Sequence, residues 1–273
     1  MSQRLGISMC LAACIASAAY AEKSAYFGDL HLHTAWSFDA FVVGTRTTPD
    51  HAYRYAKGEA IPHKTLGEVQ IDQPLDFAAV TDHAEYYGVF RKLEDPESPI
   101  SKHPEAKWLT HEDKDIAEPK LVQLVVRSTF AGRGQLLPDP VLHDEELMAD
   151  SWQWVVDAAD KHYEPGAFTT LVGFEWTSTP SVKESIHRNV LFADTEHICE
   201  RPYSSIDSNR VEDLWDWMEA QQAKGARLMA IPHNSNMSGG RLFDLDRGDG
   251  PTIDRAYAER RARLEPLVEV AQN

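Results

Sequence analysis

The sequence is poor in cysteine, and this excludes two classes of protein. Of 273 residues only Cys10, Cys14 and Cys199 are cysteines, and the first two lie in an N-terminal leader pattern. The rest of the chain holds neither the cysteine pairs of a disulfide framework nor the thiolate set of a structural zinc site. Any metal site must therefore be built from histidine and carboxylate side chains.

Positive charge and long apolar runs are also scarce. Lys and Arg number 27 against 43 Asp and Glu, which gives a formal net charge of −16 at pH 7. This acidity argues against nucleic acid as a partner, because nucleic-acid-binding domains are basic. Beyond the leader, no stretch approaches the roughly 20 apolar residues that a membrane span needs. With 42% hydrophobic residues, the composition is that of a globular protein.

The first 21 residues have the pattern of a signal peptide. Arg4 precedes a weakly apolar stretch from Leu5 to Ala18, and Ala19-Tyr20-Ala21 supplies small residues where a signal peptidase cleaves. We expect cleavage after Ala21 and a periplasmic or secreted protein. The alternative is a lipoprotein signal, in which Cys14 would be the lipidated first residue. Both interpretations export the protein.

Four short apolar segments each end in a residue that can bind a metal ion. They run from Ala25 to His33, Leu75 to His83, Phe168 to Glu175 and Ala226 to His233. Helical patterns lie between them, from Thr48 to Lys57, from about Asp144 to His162, and from Val211 to Lys224. Strands that alternate with helices predict an α/β sheet or barrel whose strand ends meet at one rim.

Two stretches depart from this alternation. Residues 91–140 contain many prolines and charges, and we interpret them as an insertion within one domain that begins at residue 22. A lid is one use for such an insertion. The final residues, from Pro266 to Asn273, have the pattern of a fifth strand with nothing after it. Because a barrel does not end on a strand, we expect the chain to be a fragment of a longer protein.

The strand ends offer nitrogen and oxygen ligands. His31 and His33 are two residues apart on one strand, so their side chains point to the same side. His83, Glu175 and His233 end the other three strands. Imidazole and carboxylate without thiolate suit Zn, Mn or Fe. We therefore predict a polynuclear metal site at the rim, with unrelated structural residues as the alternative.

Asp82 immediately precedes one of these ligands, and we select it as the candidate catalytic residue. Three roles are open to it: it could orient a metal-binding imidazole, coordinate a metal directly, or shuttle a proton. Histidines that bind metals usually donate their second N–H to a carboxylate, and we expect Asp82 to act either as such an orienting residue or as a proton shuttle. A helix-capping aspartate next to an incidental histidine is the structural alternative.

The motifs around these residues resemble a known family. They are Tyr26 to Thr34, Thr81 to Glu85, Gly173 to Trp176, His187 to Val190 and Pro232 to Asn234. Together they are similar to the PHP (polymerase and histidinol phosphatase) superfamily of metal-dependent phosphoesterases, and more closely to its DUF3604 branch. The resemblance covers Tyr26 to Asn273. It implies a distorted (β/α)7 TIM-like barrel, incomplete at the C-terminus, with two or three metal ions at the strand ends.

The resemblance also implies roles for individual residues. Asp39 resembles the acidic ligand that follows the first histidine pair, and Glu175 resembles the carboxylate that bridges metals. His187 resembles a further ligand, with a loop histidine that contacts substrate or backbone as the alternative. The implied metal ligands are His31, His33, Asp39, His83, Glu175, His187 and His233. The family's closing Asp-x-His motif is missing from these residues.

Two residues are candidates for binding the substrate. Arg188 could bind an anionic group, although a surface ion pair is the ordinary role of such a residue. Asn234 follows the last predicted ligand at a strand end, so we expect it to line the pocket. The expected partner is a small anionic ester, and the sequence does not indicate an oligomeric state.

These predictions combine into an exported metal-dependent hydrolase. In the expected mechanism a bridging hydroxide, made acidic by the metals, attacks a phosphoester. The same site could instead cleave an amide, a lactone or a carboxyl ester, because fold and ligands do not choose among these bonds. A protein that binds metal or an anion without turnover is the alternative from a different class.

Overall fold

The computed structural model describes residues 24–131, 135–181, 184–243 and 253–271. The predicted signal peptide, residues 1–21, lies outside these residues. In chain order the described elements are β1 (Gly28–Leu32), α1 (Phe38–Val42), α2 (Pro49–Ala56), β2 (Ile61–His63), β3 (Gly67–Val69), β4 (Phe77–Val80), α3 (Ala106–Leu109), α4 (Lys114–Ala131), α5 (Glu145–His162), β5 (Thr169–Trp176), β6 (Arg188–Phe192), α6 (Val211–Ala223), β7 (Leu228–Pro232) and α7 (Arg255–Leu264). Short 3-10 helices cover Phe90–Glu94, Pro99–Lys102, Ser235–Met237 and Arg241–Phe243.

Five strands form the main sheet, in the order β1-β4-β5-β6-β7. β1, β4 and β5 pair in parallel, whereas β6 is antiparallel to both β5 and β7. β7 therefore runs in the same direction as the first three strands. As a result, the ends of β1, β4, β5 and β7 and the start of β6 lie along one side of the sheet. We call this side the functional edge, because the predicted ligands lie at these strand ends. The strands β2 and β3 form a separate antiparallel hairpin.

The predicted strand and helix segments are confirmed, but the predicted barrel is wrong. The four apolar segments form β1, β4, β5 and β7, and the three helical patterns form α2, α5 and α6. Within the described residues the main sheet stays open, because its two outermost strands, β1 and β7, do not pair with each other. The (β/α)7 barrel of PHP type needs parallel strands throughout, and the antiparallel β6 breaks that pattern.

The predicted fifth strand does not form either. Residues 265–271 have no regular secondary structure, and Asn273 lies outside the described residues. This segment nevertheless lies beside β7, because the Glu269 N–H donates a 3.0 Å hydrogen bond to the Pro232 carbonyl oxygen. This backbone hydrogen bond aligns the segment with the end of β7, but the segment does not form a strand.

Local sequence signals explain why the helices begin where they do. Thr48 caps α2: its hydroxyl accepts the His51 N–H, the His51 ring accepts the Thr48 N–H, and Pro49 fills the first turn. Asp144 caps α5 by accepting the Leu147 N–H. These caps satisfy backbone donors that have no partner inside the helix.

A bulge in β1 shapes the functional edge of the sheet. Gly28 and Asp29 pair with Phe77 and Ala78, but Leu32 then pairs with Val80, so β1 has one extra residue in this interval. Bulges re-aim side chains and occur next to active sites. The Leu32 N–H donates to the Thr81 hydroxyl at 3.1 Å, which holds the end of β1 against the end of β4.

The two faces of the sheet are unequal. One face carries Val80, Phe174 and Val190 into the main core, where α5 contributes Trp152 and Val155. The other face has a small cluster built on Ala79, Leu191 and Ile231. The main core therefore fixes the sheet from one side and leaves its functional edge free.

The segment predicted as an insertion packs into the main core. Its helices α3 and α4 contribute Leu109, Leu121 and Leu124, all of them buried. Helix α4 lies against α1, which follows β1 directly. The described residues of this segment, 91–131 and 135–140, therefore form a wall beside the functional edge. In the described part of the chain, no helix is both long enough and apolar enough to cross a bilayer.

Candidate metal centre

One buried carboxylate lies at the centre of the functional edge. Glu175, the second-last residue of β5, is 1% exposed. Five imidazoles approach it to within 3.4 Å or less, and they come from the ends of β1, β4 and β7 and from the start of β6. They belong to His31, His33, His83, His187 and His233. The structure therefore brings all the predicted histidine ligands together around Glu175.

The two oxygens of Glu175 divide these histidines into two groups. Oε2 lies 3.2 Å from Nε2 of His31 and 2.8 Å from Nε2 of His33. Oε1 lies 2.6 Å from Nδ1 of His187 and 3.1 Å from Nε2 of His233. This division is typical of a carboxylate that bridges two positions.

His83 reaches the same carboxylate because the pairing of β4 with β5 continues beyond β4. An isolated bridge joins His83 to Glu175 in parallel, and Nδ1 of His83 lies 3.4 Å from Oε1. The hydroxyl of Thr177 contacts the same Nδ1. The Phe38 ring stacks on the His83 ring at a centroid distance of 4.8 Å. These contacts fix the His83 ring from three sides.

Asp39 supplies a second carboxylate, as predicted. It lies in the first turn of α1, two residues after Ser37 at the N-cap. One of its oxygens lies 3.3 Å from Nδ1 of His33, and the other lies 3.3 Å from Nε2 of His83. Asp39 therefore joins the first and second histidine motifs on the side away from Glu175.

Glu269 is a third carboxylate, which the sequence analysis missed. Its Oε2 lies 3.0 Å from Nδ1 of His31. His31 is thus held between Glu175 and Glu269, one on each ring nitrogen. The sequence carried one weak signal for Glu269, its place in the final predicted strand, but nothing in the pattern joined it to His31.

The donor atoms fall into four compact groups. The nitrogen and carboxylate oxygen atoms of each group lie within 4.8 Å of one another. The groups are His31, His33 and Glu175; His33, Asp39 and His83; Glu175, His187 and His233; and His31, His233 and Glu269. All seven predicted ligands occur in them, and they share members. The arrangement therefore has the connectivity of a polynuclear site.

Burial and mutual contact set the pKa values of these eight side chains, which we call the cluster: His31, His33, Asp39, His83, Glu175, His187, His233 and Glu269. Burial alone would raise the pKa of Glu175, but the charge of His83 and hydrogen bonds from His187, His233 and His31 hold it well below its usual range. Burial also opposes protonation of His33, yet hydrogen bonds to Asp39 and Glu175 raise its pKa well above the usual value. Burial lowers the pKa of His187 to about 4. The cluster therefore contains ionised carboxylate beside both neutral and protonated imidazole.

Asp82 lies next to the cluster but turns its carboxylate to the backbone. Its two oxygens accept hydrogen bonds from the N–H and the hydroxyl of Thr34, the latter at 2.7 Å. Thr34 directly follows His33, so Asp82 holds the turn that leaves β1. Burial raises the pKa of Asp82 to about 6. In the described structure the Asp82 oxygens accept from Thr34 and not from an imidazole, so Asp82 positions the turn after His33 rather than a histidine ring. The proton-shuttle role stays a prediction.

The two candidate substrate-binding residues are placed differently. The Asn234 amide nitrogen lies 2.9 Å from Nδ1 of His187, at the cluster. Arg188 is 2% exposed, and its Nε lies 3.0 Å from Oε1 of Glu265, to which Trp215 also donates. Because neighbouring residues of a strand face opposite sides, His187 faces the cluster and Arg188 faces the core. The structure therefore does not bring Arg188 to the site, and its ion pair is buried rather than on the surface.

The mouth of the cluster is an open cavity of about 480 Å³. Asp29, His31, His33, Asp39 and Glu269 line it. The candidate ligand atoms of His31, His33 and Asp39 are thus accessible from one side, while Glu175 and His233 remain buried behind them. Such an arrangement leaves room for a small molecule in front of the ligands.

Comparison with known proteins agrees with the motifs. No curated protein matches the chain. The family model described as "Protein of unknown function (DUF3604)" matches residues 20–273, which is nearly the whole sequence. The chain therefore belongs to the DUF3604 family.

Proposed function

We propose that this protein is a metal-dependent hydrolase that acts on phosphoesters, with two or three Zn, Mn or Fe ions held at Glu175. The convergence of five imidazoles on this one buried carboxylate carries the proposal. We further propose that the family is related to the PHP phosphoesterases, whose motifs its own motifs resemble, and that the protein acts outside the cytoplasm after cleavage of its leader.

The donor chemistry supports metal binding rather than a purely structural cluster. An ionised carboxylate offers about four lone-pair sites, but five imidazole rings surround Glu175. Hydrogen bonding to Glu175 therefore cannot satisfy all five rings at once. Once deprotonated, these imidazoles would offer lone pairs beside ionised carboxylates, and together they would supply the nitrogen ligands and negative charge that divalent ions of this class require.

The three carboxylates of the cluster would have different roles in holding the ions. Glu175, with its two oxygens facing separate histidine groups, would bridge ions, and Asp39 would hold an ion together with His33 and His83. Divalent ions bound there supply an acidified water, whose pKa can fall from ~15.7 to ~7, and neutralise charge on a phosphoryl group. Glu269 would orient His31 through its second ring nitrogen, as carboxylates do for metal-binding histidines.

The substrate would enter through the open mouth of the cluster. Asp29 and Glu269 form part of its rim, so the mouth is acidic before metals bind. An anionic ester would therefore bind only where the ions offset this charge. The Asn234 amide nitrogen, which lies 2.9 Å from Nδ1 of His187, would donate a hydrogen bond to a substrate group that reached this part of the cluster.

A substrate panel tests this proposal. The protein would be loaded in turn with Zn, Mn and Fe(II) and assayed with p-nitrophenyl phosphate, bis(p-nitrophenyl) phosphate and p-nitrophenyl acetate. His33→Ala removes a central ligand, and His63→Ala is the matched control, because His63 is an exposed residue of the β2–β3 hairpin. Phosphoester hydrolysis that His33→Ala abolishes and His63→Ala preserves would support the proposal. Turnover of the carboxyl ester alone would instead indicate a carbonyl hydrolase, and metal uptake without turnover of any compound would indicate a binding protein.

A further inference from the structure

Ser37 occupies the N-cap position of helix α1, but its side chain does not cap the helix. Serine is common at this position because its hydroxyl oxygen accepts a backbone N–H from the first helical turn. The Ser37 backbone has the extended conformation of an N-cap, with φ of −82° and ψ of 130°, yet its side chain accepts no such hydrogen bond. The residue is 0% exposed, so its hydroxyl group must find its partners inside the protein.

The partners of the Ser37 hydroxyl are three residues of the cluster. The hydroxyl donates a hydrogen bond to Oδ1 of Asp39 at 2.5 Å. Its oxygen accepts the His83 backbone N–H at 3.2 Å and lies 3.3 Å from Nδ1 of His33. His33, Asp39 and His83 form one of the four groups of candidate ligands. One buried hydroxyl therefore joins all three members of a single ligand group.

The first of these contacts fixes the Asp39 carboxylate. Oδ1 accepts both the Ser37 hydroxyl and the Ala40 N–H, the latter at 2.6 Å. The other oxygen, Oδ2, lies 3.3 Å from Nε2 of His83. A carboxylate has about four lone-pair sites on its two oxygens, so the two donors occupy Oδ1. Oδ2 is therefore the oxygen that Asp39 can present to a cation beside His83.

The contact with His33 determines how its ring is oriented. Nδ1 faces the Ser37 oxygen at 3.3 Å, whereas Nε2 lies 2.8 Å from Oε2 of Glu175. The hydrogen bond made by one ring nitrogen of a histidine sets which nitrogen is free to bind a metal. Because Ser37 donates its own proton to Asp39, its oxygen can serve His33 only as an acceptor. The His33 proton is thereby kept on Nδ1, and Nε2 is the nitrogen that a metal ion would use.

We propose that Ser37 is a positioning residue of the metal centre. Its hydroxyl presents Oδ2 of Asp39 and Nε2 of His33 to one ion, and its bond from the His83 N–H holds the segment after β4 at the same point. Asp39 and His33 line the open mouth, so loss of Ser37 should affect an ion there and spare the buried group that contains His187. The inference rests on the metal-binding part of the proposed function and does not require that any ester is cleaved.

Stepwise metal titration tests this role. For Ser37→Ala we expect the affinity for one ion to fall by about 10- to 100-fold, the usual cost of losing an outer hydrogen-bond partner, with the other ions bound as in the wild type. Ser37→Thr keeps the hydroxyl and should recover most of this affinity. Ser98→Ala is the matched control, because Ser98 caps a 3-10 helix in the ordinary way, by accepting the Ile100 N–H. A Ser37→Ala protein that titrates like the wild type, or a loss that Ser98→Ala shares, would overturn the proposal.

A measurement on the wild type covers the case in which Ser37→Ala does not fold. Long-range proton–nitrogen NMR spectra of the zinc-loaded, histidine-labelled protein distinguish a ring bound through Nε2 from one bound through Nδ1. We expect His33 to bind zinc through Nε2, with its proton on Nδ1. The His33 signals are identified by their loss in His33→Gln. A His33 ring that binds zinc through Nδ1 would overturn the proposal.

Three results separate this inference from the proposed function. If Ser37→Ala weakens the binding of one ion and no ester is cleaved, the positioning role stands and the hydrolase proposal fails. If esters are cleaved and Ser37→Ala neither weakens an ion nor changes the His33 spectrum, the hydrolase proposal stands and the positioning role fails. A wild-type protein that binds no ion contradicts both.

Discussion

Nδ1 of His187 lies 2.6 Å from Oε1 of Glu175 at the point where the main sheet changes from parallel to antiparallel pairing. His187 precedes β6, and β6 runs against β5. The start of β6 therefore meets the end of β5 at the same edge of the sheet. This reversal adds a fifth imidazole to an edge where four strand ends already supply ligands.

Removing the His187 ring should weaken metal binding. For His187→Ala we expect the affinity for at least one ion to fall by more than the 10- to 100-fold that loss of an outer hydrogen-bond partner costs. Metal titration followed by elemental analysis measures this loss, with His63→Ala as the matched control. Unchanged metal content and affinity would assign His187 to the loop-histidine alternative instead.

Glu269 should orient His31. Replacement by alanine leaves Nδ1 of His31 without its partner at 3.0 Å, so we expect Glu269→Ala to lower metal affinity by about 10- to 100-fold. Glu269→Gln keeps an acceptor oxygen and should lose less. Glu68→Gln, on the exposed strand β3, controls for the loss of one negative charge. Equal effects of Glu68→Gln and Glu269→Gln would show that only net charge matters.

Much of the site was predictable because its signals are local. The alternation of side chains along a strand is enough to place His31 and His33 on one side, and strand ends place His83, Glu175 and His233 at one edge. Glu269 was not predictable in this way. Its partner His31 is 238 residues away, and its own segment has no regular secondary structure that would fix its direction.

The errors also have local causes. The apolar run of β6 lies in a motif with His187 that does not by itself indicate a strand, so the alternation of strands and helices predicts a parallel sheet or barrel. The resemblance to the PHP superfamily then supplies the (β/α)7 barrel, which the antiparallel β6 contradicts. The antiparallel direction of β6 also determines which face of the sheet the Arg188 side chain lies on. Without knowledge that His187 faces the cluster, strand alternation could not assign Arg188 to the core side, where Glu265 neutralises it.

Two substitutions of Asp82 separate positioning from proton transfer. In Asp82→Asn the amide oxygen still accepts from the Thr34 N–H, and the amide NH₂ can donate to the Thr34 hydroxyl oxygen. We therefore expect activity within about tenfold of wild type. Loss of a general acid or base typically costs about 10²–10⁴ in rate. Asp82→Ala should lower the free energy of unfolding by about 1–3 kcal/mol, because the Thr34 N–H loses its buried partner. A kinetic loss of 10² or more in Asp82→Asn with unchanged metal content would restore the shuttle role.

Metal binding should release protons at pH 7. Hydrogen bonds to Asp39 and Glu175 raise the pKa of His33 well above its usual value. Contacts with Glu175 and Glu269 raise the pKa of His31, and contacts with Glu175 and Asp39 raise that of His83, against the opposing effect of burial. A raised pKa favours the protonated ring in the metal-free protein, and a ring that binds a cation must lose that proton. His187, with a pKa of about 4, contributes none.

Calorimetry checks this proton release directly. The observed binding enthalpy should vary with the ionisation enthalpy of the buffer, and the metal affinity should rise with pH from the ordinary histidine value of about 6.5 upward. A binding enthalpy that is the same in all buffers would show that the imidazoles are already neutral.

The metal content of the purified protein tests the central claim most directly. Elemental analysis would compare the wild type with His31→Ala/His33→Ala, and with His63→Ala as the control. We predict two or three equivalents of Zn, Mn or Fe in the wild type and the control, and a sharp fall in the double variant. A folded wild-type protein that contains no metal and takes up none when Zn, Mn or Fe is added back would contradict the account.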